Sequence, residues 1–369
     1  SESLAAVHAG ITSTFDMPNV DPNTTTIELL EKRNKLGAEK SWTNYSYYFG
    51  ATENNLEEII KLNPKETCGL KVFMGTSTGT LLVEDDFALE QIFEHCPVTI
   101  VTHCEDNETI KINSDKINSE NKELDASFHP IIRNDTCCYK SSSKVIELAK
   151  KYSSDLHVLH LTTEKEIELF ENIDLQNKKI TCEVCVHHLW FDDTDYAKLG
   201  NLIVCNPAIK KESDKNALRK ALKDGYIDYV ATDHAPHSLE DKKLPYGNAP
   251  AGIPLIEHSF HMMIELYKQG FYSLNEVVSY MSHKVADRFC IKDRGYVREG
   301  YKADLMIFDL DKKTLVENKT EKTKCGWTPF HGQTFNSSVL GTIVNGKLIV
   351  TNGSLVADFS SAEKIYFDR

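Results

Sequence analysis

"IDYVATDHAPH", residues 227–237, sets an acid and two histidines, Asp233, His234 and His237, just past a short apolar run. The run has strand length and strand composition, and turn residues follow it at once. Its neighbours repeat the arrangement. "ITSTFDM", "YSYYFGA" (45–51), "CGLKVFM" (68–74), "PVTIVTH" (97–103), "DLHVLHL" (155–161) and "ITCEVCVHH" (180–188) are further short apolar runs, each followed by a polar loop. Between them lie helix-like stretches such as "TTTIELLEKRNKLG", "FALEQIFEHC", "SSSKVIELAKKY", "EKEIELFEN" and "DKNALRKALKDG". Strands alternating with helices at this spacing predict an all-parallel α/β architecture.

The count narrows the architecture. Seven strands are visible, and "SESLAAVHAG" reads as a helix, stopped by Gly10, that follows an eighth. An α/β fold of the (β/α)8 barrel type matches that count. A doubly wound open sheet is the alternative, but no G-x-G-x-x-G follows any strand. The barrel reading places its first strand upstream of Ser1, so the chain is expected to be a fragment. After residue 290 the texture changes: "GYVREGYKADLMIFDL" and "SSVLGTIVNGKLIVTNG" are β-rich, with turn signals at "VNGK" and "TNGS". The expected organisation is a barrel over residues 1–290 and a small β-rich domain over 291–369, whose loop "KTKCGWTPFHGQTF" returns toward the barrel.

Composition excludes several classes. The chain has 369 residues, 41% of them hydrophobic, and a net charge of -13 spread along its length. That charge argues against a nucleic-acid surface. No stretch approaches the roughly 18 apolar residues of a membrane span, and no basic-then-apolar signal opens the sequence. Ten cysteines raise the question of secretion. Cys96, Cys104, Cys182, Cys185 and Cys205 lie in or beside strand-like runs, however, which favours reduced, buried thiols in a cytoplasmic protein. Cys182 and Cys185 form a C-x-x-C with no second pair at zinc-finger spacing, so no role is assigned to it.

Parallel barrels collect their reactive groups at the C-terminal ends of the strands, where the βα loops share one mouth. Counting the absent strand as first, strand four brings Lys71, strand five His103, strand six His160 and strand eight Asp233. A single histidine at a strand end is more often a satisfied polar group than a ligand. Lys71, inside the apolar stretch "GLKVFMG", must be paired or neutralised if it faces a barrel interior. Four ionisable groups on one mouth make a metal or acid–base site the default. The types suit zinc, with neutral imidazoles as nitrogen ligands and a carboxylate as oxygen ligand. A lysine carboxylated by CO2 becomes an anionic carbamate able to hold two cations. Such a pair lowers the pKa of a bridging water, and Asp233 can ligate one metal and carry a proton to the leaving nitrogen.

"ESLAAVHAGITSTFDMPNVDP", "GLKVFMGTSTG", "THCED", "HVLHLTT", "CEVCVHHLWF", "CNPAIK", "ATDHAPH", "APAGIP" and "KCGWTPFHGQTF" together resemble the amidohydrolase superfamily and, within it, the dihydroorotases. The resemblance covers nearly the whole chain. It implies zinc-dependent, reversible cyclisation of N-carbamoyl-L-aspartate to L-dihydroorotate in pyrimidine biosynthesis, by a metal-bound hydroxide and an aspartate proton shuttle. It implies two Zn2+ ions bridged by carboxylated Lys71. His103 and His160 would bind the more exposed metal, and Asp233 the more buried one. Asn19, Asn206 and His237 would contact the substrate, His237 at its carboxylate, and the backbone near Ala251 and Gly252 would meet the pyrimidine ring. Thr76, Thr78 and Thr80 are read as a lid over this small-molecule substrate. A homodimer is expected only from the resemblance.

One feature of that family is not seen. Its first strand carries an H-x-H pair for the buried metal, and without that pair the chain is expected to bind metal poorly and to be inactive. Two rivals follow: an allantoinase- or dihydropyrimidinase-like cyclic amidohydrolase, and a non-catalytic dihydroorotase homologue. His237 and the "CGWTPF" loop favour dihydroorotase over the first. His187 and His188, adjacent in an expected strand, would point to opposite faces, and neither is needed as a ligand. His234 is read as orienting its loop. His8, His95, His129, His157, His258, His261, His283 and His331 are assigned to structure or surface.

Overall fold

The computed structural model describes residues 1–75, 81–120 and 123–369. Its centre is a curved parallel array. Strand β1 (Ser13–Asp16) pairs with β2 (Asn44–Tyr47), which continues past Tyr48 as β3 (Phe49–Gly50). From β3 the ladder runs without a break through β4 (Leu70–Phe73), β5 (Ile100–His103), β6 (Leu156–Val158), β7 (Ile180–Cys185) and β8 (Tyr229–Ala231). The strands follow chain order and helices fill the connections, as the alternating pattern predicts for a (β/α) barrel.

Side-chain alternation divides the array into two layers. Leu70, Val72, Ile100, Leu156, Val158, Cys182 and Val184 face outward and pack against the helices. Tyr48, Val101, Leu159 and Tyr229 face inward with Phe289. Period-two spacing therefore turns Lys71 and His103 into the barrel. The helices bury matching stripes; Asp135–Tyr152 covers Val145, Ile146 and Ala149 and ends at Ser153 in a left-handed cap.

Among the described residues no backbone ladder joins β8 to β1, and the two sides meet through side chains. His234, just past β8, donates through Nε2 to the Glu2 carboxylate at 2.7 Å. Glu2 also accepts from Thr323 Oγ1 at 2.5 Å and the Lys324 amide at 3.1 Å. One carboxylate thus ties the helix Glu2–His8 to the β8 loop and to the 323–324 segment.

Strands β9 (Leu305–Asp309), β10 (Thr314–Leu315), β11 (Thr334–Phe335), β12 (Ser338–Val344), β13 (Lys347–Thr351) and β14 (Ser354–Leu355) follow. Four of them form an antiparallel sheet ordered β14-β13-β12-β9, and β10 pairs with β11. Val344, Ile349 and Val350 bury against Val7 of the first helix. Residues 364–367 then return to the barrel: Ile365 donates its amide to the Tyr45 carbonyl at 2.9 Å and Phe367 to that of Lys65 at 3.0 Å. Their side chains join Phe289 and Tyr48 in the inner cluster and floor the barrel opposite its mouth.

Candidate active site

The four strand-end residues converge. His103 closes β5, and its Nδ1 lies 3.1 Å from Nε2 of His160, which follows β6. Glu105 accepts from His103 Nε2 at 3.0 Å and is itself ion-paired with Arg133. A carboxylate can only accept here, so Nε2 carries the proton and the Nδ1 lone pair faces His160. Burial works against the Glu105 charge, but Arg133 and His103 outweigh it and hold its pKa at about 2. Burial also depresses His103 and, together with His103 and Lys71, holds His160 well below the usual histidine range. Both rings are neutral, the form that binds metals.

Lys71 is 2% exposed and lies over the Phe73 ring at 4.4 Å. Burial lowers its pKa to about 8 against the attraction of Asp233, and burial raises Asp233 to about 6 against the attraction of Lys71. His160 and Asp233 share a further property, positive φ values of 39° and 44°. Left-handed backbone is uncommon outside glycine, although His and Asp are enriched there. Both chains therefore turn sharply as they leave the barrel, aiming these side chains at the mouth.

These donors fit a divalent cation. Zinc–nitrogen bonds of about 2.0–2.1 Å in a tetrahedral shell separate two nitrogens by roughly 3.3 Å, close to the observed His103–His160 spacing. His160 Nδ1 is buried with no partner among the described residues.

The remaining predicted residues lie in the loops that follow β1, β7 and β8. His237 Nε2 donates to the Ala251 carbonyl at 3.0 Å, and Trp327 Nε1 donates to the His237 carbonyl at 2.8 Å. Gly252 has φ +145°, and a Cβ there would meet Ala235 O at 2.5 Å and His237 Cδ2 at 2.9 Å. Asn206 Oδ1 accepts from His129 Nε2 at 3.1 Å, and Asn19 lies half-buried in the loop after β1. His234 orients its loop through Nδ1, which accepts from the amides of Leu255 and Ile256 at 3.1 and 3.2 Å. Thr76, Thr78 and Thr80 lie outside the described residues.

Sequence reasoning missed several participants. Glu105 sits two residues after His103 in "THCED", and an acid that close to a strand-end histidine was the available signal. His129, assigned to structure or surface, holds Asn206 and the Cys205 carbonyl through Nε2 and accepts from Tyr246 Oη at 2.9 Å. Lys242 is buried, and its Nζ donates to the carbonyls of Val204, Pro250 and Gly252 at 3.2, 2.8 and 3.0 Å. It fastens the loops that carry Asn206 and Ala251, and its neighbours in sequence give no hint of this. The expectation that His187 and His188 point to opposite faces is corrected. β7 ends at Cys185, the pair lies in the 3-10 turn Val186–Leu189, and the ring centroids are 4.0 Å apart.

A family model described as the amidohydrolase family matches residues 3–349. The dihydroorotase of Lactobacillus acidophilus is 29% identical over 355 residues, covering 95% of this chain and 83% of that protein. The dihydroorotase of Ligilactobacillus salivarius is 30% identical over 352 residues, covering 94% and 80% respectively. Among solved structures, the L-hydantoinase (dihydropyrimidinase) from Arthrobacter aurescens superposes with a TM-score of 0.91 at 24% identity, over 99% of this chain and 82% of that one. That likeness shows the fold. With a family match across nearly its whole length, the chain belongs to the amidohydrolase family.

Proposed function

We propose that this hydrolase of cyclic amides is a zinc-dependent dihydroorotase, interconverting L-dihydroorotate and N-carbamoyl-L-aspartate. The observation that carries the reading is the meeting of Lys71, His103, His160 and Asp233 at the barrel mouth, beside the His237–Ala251 contact. The names of the relatives support the choice of substrate.

Lys71 as its carbamate, with His103, His160 and Asp233, would hold the zinc ions. Bound there, the metals would supply activation of water and polarisation of the ring carbonyl. The chain's own groups supply the rest. Asp233, with a pKa near 6, accepts a proton on its carboxylate oxygen from the attacking water and delivers it to the departing ring nitrogen. Glu105 and Arg133 fix the His103 ring so that its Nδ1 lone pair stays directed at the centre. His237 donates Nε2–H to the Ala251 carbonyl, which leaves Nδ1 as the nitrogen that can face the substrate carboxylate; burial lowers the pKa of this ring, and a bound carboxylate would oppose that shift.

The test compares hydrolysis of dihydroorotate, allantoin and dihydrouracil by the zinc-loaded full-length protein. Turnover of dihydroorotate at least a hundredfold above the others is expected. Preference for dihydrouracil or allantoin would replace this reading with that of another cyclic amidohydrolase.

A further inference from the structure

A second cluster of metal-ligating atoms lies in the barrel wall, and the proposed reaction does not use it. Cys185 ends β7, and the chain turns directly into Val186–Leu189. The Cys185 sulfur and one ring nitrogen each from His187 and His188 lie within 4.8 Å of one another, all buried. We infer that Cys185, His187 and His188 form a site for one zinc-like metal ion, with ligands other than those of the Lys71–Asp233 centre.

Orphaned atoms are the main support. Both ring nitrogens of His187 and Nδ1 of His188 are buried and unpartnered among the described residues. Leaving a buried polar group unsatisfied costs about 1–3 kcal/mol, and three such nitrogens in one turn call for an occupant. The second support is orientation. His188 Nε2 donates to the Pro207 carbonyl at 3.1 Å, which places the proton there and leaves the Nδ1 lone pair free to ligate. Fixing the far nitrogen by a backbone carbonyl is how metal-binding histidines are commonly held.

Donor chemistry narrows the ligand. One sulfur with two imidazoles makes a soft to borderline set, suited to zinc and unsuited to magnesium or calcium. Water alone answers the site poorly, because sulfur is a weak hydrogen-bond partner. Metal binding converts the Cys185 thiol to thiolate and releases its proton to solvent. The other sulfur-containing cluster, Glu105 with Cys137 and Cys138, lacks this character, because Glu105 is already engaged by Arg133 and His103.

Cobalt(II) separates this site from the catalytic one, whose proposed ligands contain no sulfur. The full-length protein is stripped with a chelator and titrated with Co2+. The expected result is a near-ultraviolet sulfur-to-cobalt charge-transfer band that saturates at one equivalent. The band is expected to persist in His160→Asn and to disappear in Cys185→Ser and His187→Gln, with far-ultraviolet circular dichroism unchanged. Absence of the band at saturating cobalt overturns the inference, as does its survival in Cys185→Ser or its loss in Cys137→Ser. Should Cys185→Ser fail to fold, His187→Gln and the wild-type titration decide the matter.

Discussion

Asp233 combines a chemical duty with a backbone conformation that most residues avoid. Asparagine tolerates left-handed φ about as well as aspartate, whereas a β-branched residue does not. Asp233→Asn is therefore expected to melt within about a degree of wild type while losing turnover, and Asp233→Val to melt several degrees lower; calorimetry and a dihydroorotate assay separate the two. The same residue sets a pH limit. Its pKa is raised to about 6, so it is ionised above that pH and protonated below it. Zinc affinity measured with a chromophoric chelator is expected to fall as pH drops from 7.5 to 5, and Asp233→Asn to flatten that dependence. Gly252 is constrained in another way. A Cβ at this position collides with the Ala235 carbonyl and the His237 ring, so Gly252→Ala is expected to raise the KM for dihydroorotate about tenfold, or ~1.4 kcal/mol. A kinetic constant equal to wild type would show that the His237 loop does not contribute to substrate binding.

Among elements, the strands were legible in the sequence and the clamps between loops were not. Apolar runs alternating with helical stretches mark a parallel barrel, and Lys71, His103, His160 and Asp233 stand out because each interrupts or ends such a run. The "ITCEVCVHH" stretch misled because its apolar pattern carries on past the point where the backbone leaves the sheet, so a 3-10 turn read as strand. The Glu105–Arg133 pair escaped for a different reason. Its partners are brought together by the barrel, not by local spacing. Lys242 is the clearest case of such a clamp, because only folding brings three carbonyls around its ammonium. Lys242→Met removes every donor at once and strands buried acceptors. A loss of about 2–4 kcal/mol in denaturant unfolding is expected, and Lys242→Arg is not expected to restore it, because the larger guanidinium does not fit the buried niche.

At the scale of the molecule, Glu2 is the cross-brace between the helix Glu2–His8, the β8 loop and the 323–324 segment. Burial opposes its charge, but the bonds from His234, Thr323 and Lys324 hold its pKa at about 2, below its ordinary 4.5. A carboxyl depressed by folding contributes stability above its unfolded pKa, and that contribution is lost as pH falls from about 4.5 toward 2. Melting temperature is expected to drop across this window, and less steeply in Glu2→Gln, which should also be less stable than wild type at pH 7. A parallel slope in the two proteins would remove Glu2 from the account. No helix among the described residues is long and apolar enough to cross a membrane.

The barrel floor has a consequence for how the protein is made. Tyr45 leaves the ribosome well ahead of its partner Ile365 and the neighbouring Phe367, which follow it by more than half the length of this sequence. From the synthesis of Phe289 until that of residues 364–367, the inner aromatic cluster of Tyr48, Tyr229 and Phe289 must wait with its lower end uncovered. Completion of the core is thereby coupled to the arrival of residues 364–367, and nascent chains stalled before them expose an aromatic surface of the kind that chaperones and proteases survey.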